Sequence, residues 1–215
     1  MIAAAALLLA DSRTPTGSYA HSGGLERAIA EGMAADRVPD FIYGRLQTVA
    51  FTEAALTAAA VNAGESRLAE LDRECAARTP SPALRAAASA LGRSILRTGA
   101  QLFPSARGLS RYRETSTTTP RPIALGVVGG AAGLDPQTAA LVALHDDAAM
   151  VASAAVKLVA VDAGAAAAWV AALGAEMARL ARLAADAPEL PSVAAPLIEL
   201  RSLAHAHDQR RLFAS

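Results

Sequence analysis

Asp11, Ser12, His21 and Ser22 fall within one short stretch, "DSRTPTGSYAHS". A hydroxyl, an imidazole and a carboxylate are the parts of a nucleophilic triad, and the chemistry would be acyl transfer. The stretch has no G-x-S-x-G turn, however, and no strand pattern nearby to carry one. Ser22 is instead placed to cap a helix beginning near Gly24, with Glu26 in the first turn complementing the dipole. Metal chemistry has few ligands to draw on. The histidines are His21, His145, His205 and His207, and Cys75 is the sole cysteine. Asp146 and Asp147 follow His145, and Asp208 follows His207. Yet no two ligands share a helix face at i, i+4, and His205-x-His207 points its rings apart on a helix. No catalytic residue, metal site or cofactor is expected, and neither a Walker A loop nor a dinucleotide fingerprint occurs.

Lys157 is the only lysine, set in the apolar run "AAVKLVAV". Schiff-base chemistry would need it desolvated in a pocket. The simpler expectation is a snorkelling stem with its ammonium paired to Glu53, Asp146 or Asp147.

These residues must be positioned by helices. Ser81-Pro82 and Asp135-Pro136 read as N-caps followed by proline at the first helical position. One helix is expected between Pro39 and Gly64, and a second over residues 82–102. A third runs from Pro136 to Gly164, with others over 165–186 and 192–206. Residues 104–121, basic and rich in Ser and Thr, read as a mobile loop or a frayed element. No strand alternation and no long repeat appear. The expectation is therefore an all-α bundle of eight to ten helices, one domain over residues 1–215, with Gly92, Gly129-Gly130 and Gly164 at close helix approaches.

Composition narrows the partners. Twenty acids balance twenty bases, and residues 1–60 carry only four Arg, so nucleic acid is not the expected ligand. "MIAAAALLLA" lacks the basic flank of a signal peptide and is too short to span a bilayer. It reads as a first buried helix. One unpaired cysteine suits a reducing cytoplasm, and no membrane association is expected. At the other end, "RRLFAS" sets Arg beside Leu212 and Phe213, the residue types that protein interfaces use as anchors. Phe213 could equally pack back onto its own bundle.

Together these stretches resemble a known family. "DSRTPTGSYAHSGGLE" is similar to the opening signature of UreF, the urease accessory family. "HAHDQRRLFAS" resembles its C-terminus, with His205 six residues before Arg211-Leu212-Phe213. "LRAAASALGRSIL" matches an Arg…Ser…Gly-Arg pattern through Arg85, Ser89, Gly92 and Arg93, and Lys157-Leu158 falls where the family has a basic then an apolar residue. There are departures. "LVAVDAG" stands where the family usually continues Pro-Leu-Gly/Ser-Gln, and Ala206 stands where it often has Glu.

The resemblance implies an all-α, non-enzymatic homodimer. It implies binding to the accessory protein UreD (UreH), recruitment of the nickel-carrying GTPase UreG, delivery of nickel to apo-urease, and an influence on the GTPase. It places Tyr19 and Arg211 on the partner surface. With them we group His21, Ser22, Glu26, His205, Leu212 and Phe213 as candidate contact residues, Tyr19 and His21 facing outward. Gly17, Gly24, Arg85, Gly92 and Lys157 are candidate structural residues. A helical enzyme, or another helical adaptor, is the alternative.

Overall fold

The computed structural model describes residues 2–11, 13–205 and 212–214. Among them are twelve α-helices, two short 3-10 turns and no strand. The helices are α1 (Ile2–Ala10), α2 (Leu25–Ala30), α3 (Val38–Leu46), α4 (Val49–Ala60), α5 (Glu65–Ala77) and α6 (Pro82–Leu102). They continue as α7 (Arg107–Thr115), α8 (Arg121–Ala131), α9 (Pro136–Leu158), α10 (Ala163–Ala172), α11 (Gly174–Asp186) and α12 (Pro196–His205).

The all-α class is as expected, but the count is higher than eight to ten: the helix expected over 165–186 is two, α10 and α11, divided at Leu173, and the other differences have local causes. The helix expected between Pro39 and Gly64 is broken at Thr48. Its hydroxyl donates to the Gly44 carbonyl at 2.7 Å, competing with the backbone ladder, and its backbone turns away from helix. The expected loop over 104–121 contains α7. Leu109 and Tyr112, one turn apart, are buried there, and Tyr112 Oη donates to Asp72 Oδ1 at 2.6 Å. Two apolar anchors among Arg, Ser and Thr leave too weak a period to read. The helix expected to reach Gly164 stops at Leu158, because Ala160 takes a left-handed φ of 52° and Asp162 caps α10 through the Ala165 N–H at 3.0 Å. Ser81 and Asp135 cap as expected, accepting from Leu84 N–H at 3.3 Å and Thr138 N–H at 2.9 Å.

α9 is the axial element, packed against α1, α2, α3, α4, α8, α10 and α11. It is buried on most of its circumference, and its alanines let seven helices approach closely. α8 is wedged between α4 and α6. Backbones touch there: a Cβ on Gly130 would lie 2.1 Å from the Val61 carbonyl oxygen, and one on Gly92 would lie 1.8 Å from that of Thr119. The core cluster runs from Leu9 to Phe213. α9 is the one described helix long and apolar enough to cross a bilayer, but 61% of that window is buried inside the protein. It also carries Asp146 and Asp147 in ion pairs, which a lipid-facing helix would not hold.

Candidate docking surface

The loop between α1 and α2 is tied down at five points. Thr14 Oγ1 donates to the Leu8 carbonyl at 2.6 Å. The Pro15 carbonyl accepts from Ser94 and Thr98 on α6, both at 3.0 Å. Ser18 Oγ donates to Asp146 Oδ2 at 3.1 Å, and Arg45 Nη1 donates to the Gly23 carbonyl at 2.7 Å. Gly17 and Gly24 adopt φ of 93° and 89°, where a side chain would be strained. Between these anchors, residues Ser18–Ala20 make one 3-10 turn that throws Tyr19 into solvent, 63% exposed. His21 and Ser22 turn the other way and are buried, so His21 does not face outward. Ser22 Oγ accepts from the Glu26 N–H at 3.3 Å at the start of α2.

The C-terminal residues dock beside this loop. The Ala214 N–H donates to the Ala20 carbonyl at 2.8 Å. Glu26 accepts from the Leu212 N–H at 2.6 Å and the Phe213 N–H at 3.1 Å. His205 Nε2 donates to the Phe213 carbonyl at 3.2 Å and lies 3.6 Å from Glu26 Oε2. Phe213 is buried on its own bundle, with the Lys157 ammonium 5.3 Å from its ring centroid. Leu212 points outward, 62% exposed. The two ends of the chain thus form one surface, with Tyr19 and Leu212 projecting while Glu26, His205 and Phe213 hold it together. Arg211, His207 and Asp208 lie outside the described residues.

The carboxylates expected to pair with Lys157 have other partners. Arg121 binds Glu53 at 2.5 Å and Asp146 at 2.6 Å. Arg45 grips Asp147 through Nη2 at 2.5 Å and Nε at 3.0 Å. These groups lie beneath the loop, around a cavity of about 100 Å³ that His21, Gly23, Glu53 and Cys75 also line. Sequence reasoning missed Arg45 and Arg121. The available signal was charge balance: three acids in apolar helices need basic partners, and Lys157 could supply only one. Among the remaining structural candidates, Arg85 Nη1 donates to the Thr79 and Pro80 carbonyls, both at 2.7 Å, closing the α5–α6 link.

The cavity's chemistry is quiet. Burial pushes the Cys75 thiol up to about 12, so it is no nucleophile near neutrality. Burial raises Glu53 above the usual carboxylate range, against the pull of Arg121. Burial, and then the charge of Arg121, lower His21 below 6.5. Among the described residues, no three of His, Cys, Asp and Glu converge as a metal site. A base whose folded pKa is depressed costs stability as pH falls, because below 6.5 the unfolded chain takes up a proton that the native loop refuses. His21→Gln should therefore flatten the decline of the thermal midpoint below pH 6.5, a difference readable by scanning both proteins across that range.

The family model for UreF matches residues 33–174. The urease accessory protein UreF of Mycobacterium sp. (strain JLS) is 36% identical over 211 residues, covering 97% of each chain. This chain belongs to the UreF family. The UreF of Mycolicibacterium vanbaalenii is likewise 36% identical, again over 97% of each chain. That of Mycobacterium tuberculosis (strain H37Rv) is 38% identical over 158 residues, 73% of this chain and 72% of the relative. The relatives' name makes the UreF assignment one of a urease accessory protein. The loop and the tail both lie outside the stretch that the family model matches.

Proposed function

We propose that this UreF-family chain is a non-enzymatic urease maturation factor that bridges UreD (UreH) and the GTPase UreG. Through that assembly it serves nickel insertion into apo-urease and modulates the GTPase. In this reading it acts in the cytoplasm, as a homodimer folded as one domain over residues 1–215, and holds no cofactor of its own. Its contact face is the joined loop and tail. The observation that supports this most is the coupling of the two ends, through Ala214 to Ala20 and Glu26 to Leu212 and Phe213. An exposed tyrosine and an exposed leucine on a backbone held this firmly are anchors whose docking costs little ordering entropy.

The double variant Tyr19→Ala with Leu212→Ala tests the reading. Loss of two anchors should weaken UreD/UreH binding at least about tenfold in a titration. The thermal midpoint should move by less than about 2 °C, because both side chains are solvent-exposed. Arg211→Ala is expected to impair assembly in the same way. Unaltered binding by both proteins overturns the reading.

A further inference from the structure

We infer that the buried pairs Arg45–Asp147 and Arg121–Asp146 are positioning residues that hold the loop in its docking shape. The inference rests on the reading above, in that Tyr19 is the group being positioned. Buried ion pairs are costly to desolvate, and apolar residues of like volume are often as stable in their place. Side chains of Arg45 and Asp147 are 8% and 2% exposed, so their retention asks for something an apolar pair cannot supply. That something is directional bonding to the loop. Arg45 spends Nε and Nη2 on Asp147 and turns Nη1 to the Gly23 carbonyl. Gly23 admits the guanidinium because it has no side chain; a Cβ there would lie 3.1 Å from Arg45 Cζ, at a φ of 62°. On the other side Asp146 Oδ2 accepts from both Arg121 Nη2 and Ser18 Oγ. Ser18 and Gly23 bracket Tyr19. Each bracket is fixed to a charge carried by the core helices α3, α8 and α9, so the exposed tyrosine inherits the rigidity of the bundle.

Lysine keeps the charge of arginine but lacks the planar fork that serves Asp147 and Gly23 at once. Arg45→Lys, in the full chain, should therefore speed amide exchange at Ala20, His21 and Leu25 about tenfold, the equivalent of one net hydrogen bond. Exchange in α4 and α9 should stay unchanged. Affinity for the UreD/UreH partner should fall several-fold, with the thermal midpoint little moved. Ser18→Ala, which removes only the second tether, should reproduce the exchange effect at Ala20 and His21. Tyr19→Ala should weaken binding while leaving loop exchange at the parental rate. The inference fails if both tether variants exchange like the parent, or if exchange in loop and core rises together, which would mark a general structural role. The reading beneath it fails separately, if Tyr19→Ala binds the partner as well as the parent does.

Discussion

Gly92→Ala should lower the thermal midpoint by about 6–12 °C. The added methyl would be placed 1.8 Å from the Thr119 carbonyl oxygen and 3.1 Å from the Pro120 carbonyl carbon, both backbone atoms that no rotamer change can move. Overpacking a fitted interface costs roughly 1–3 kcal/mol, and more where backbone must shift. About 3 kcal/mol, at ~2–4 °C per kcal/mol for a chain of this size, gives the stated range. The turn it abuts has little slack. Thr119 is β-branched, takes a φ of 44° and precedes proline, so it is held in a conformation it would not adopt alone. Displacing it moves the start of α8, which carries Arg121 into its contacts with Glu53 and Asp146. Gly44→Ala is the control. That glycine is helical and exposed, with open space around its missing Cβ. There the gain in helix propensity should raise stability by up to about 1 kcal/mol. Thermal scans of the two variants side by side check the pair; a neutral Gly92→Ala would show that α6 is not in backbone contact with the turn that leads into α8.

Arg45→Met should be equally damaging for an electrostatic reason. Removing one partner strands the Asp147 carboxylate, 2% exposed, without its guanidinium, and breaking such a pair costs about 3–5 kcal/mol. The companion Asp147→Leu leaves the guanidinium stranded and should cost a similar amount. Combining the two replaces both charges with apolar volume and should recover most of the loss. Denaturant titration of the four proteins closes this cycle, and additive losses in the double variant would contradict it. The recovered double variant should still fail to hold the Gly23 carbonyl, which separates stability from loop geometry.

How far these contacts could be foreseen differs from group to group. Caps were legible because they are local: Ser81 and Asp135 need only the next three residues to act. The helix breaks were less so. Thr48 ends a helix by bonding back to Gly44, a choice that composition leaves open, and Ala160 takes a left-handed turn that is ordinarily a glycine's. The ends of the chain drew notice through residue type, but their juxtaposition is tertiary. Glu26 was legible as a first-turn acid; that it receives the backbone of Leu212 and Phe213, 186 and 187 residues away, follows only from where α2 and α12 come to rest. Lys157 meets an aromatic face rather than the carboxylate its surroundings suggest. Asp146 and Asp147 lie about three turns before it on α9 and pair with Arg121 and Arg45, leaving the ammonium to the face of Phe213. Local acids suggested a salt bridge; helix geometry sent them elsewhere.

The central claim is that loop and tail act as one docking face. Amide exchange of the chain, free and saturated with its UreD/UreH partner, tests it most directly. Ala20, Leu212, Phe213 and Ala214 should slow together on complex formation, while the groove between α5 and α7, around Glu65, Asp72 and Thr117, keeps its free rates. Protection of that groove, with those four amides exchanging as in the free protein, would contradict the account.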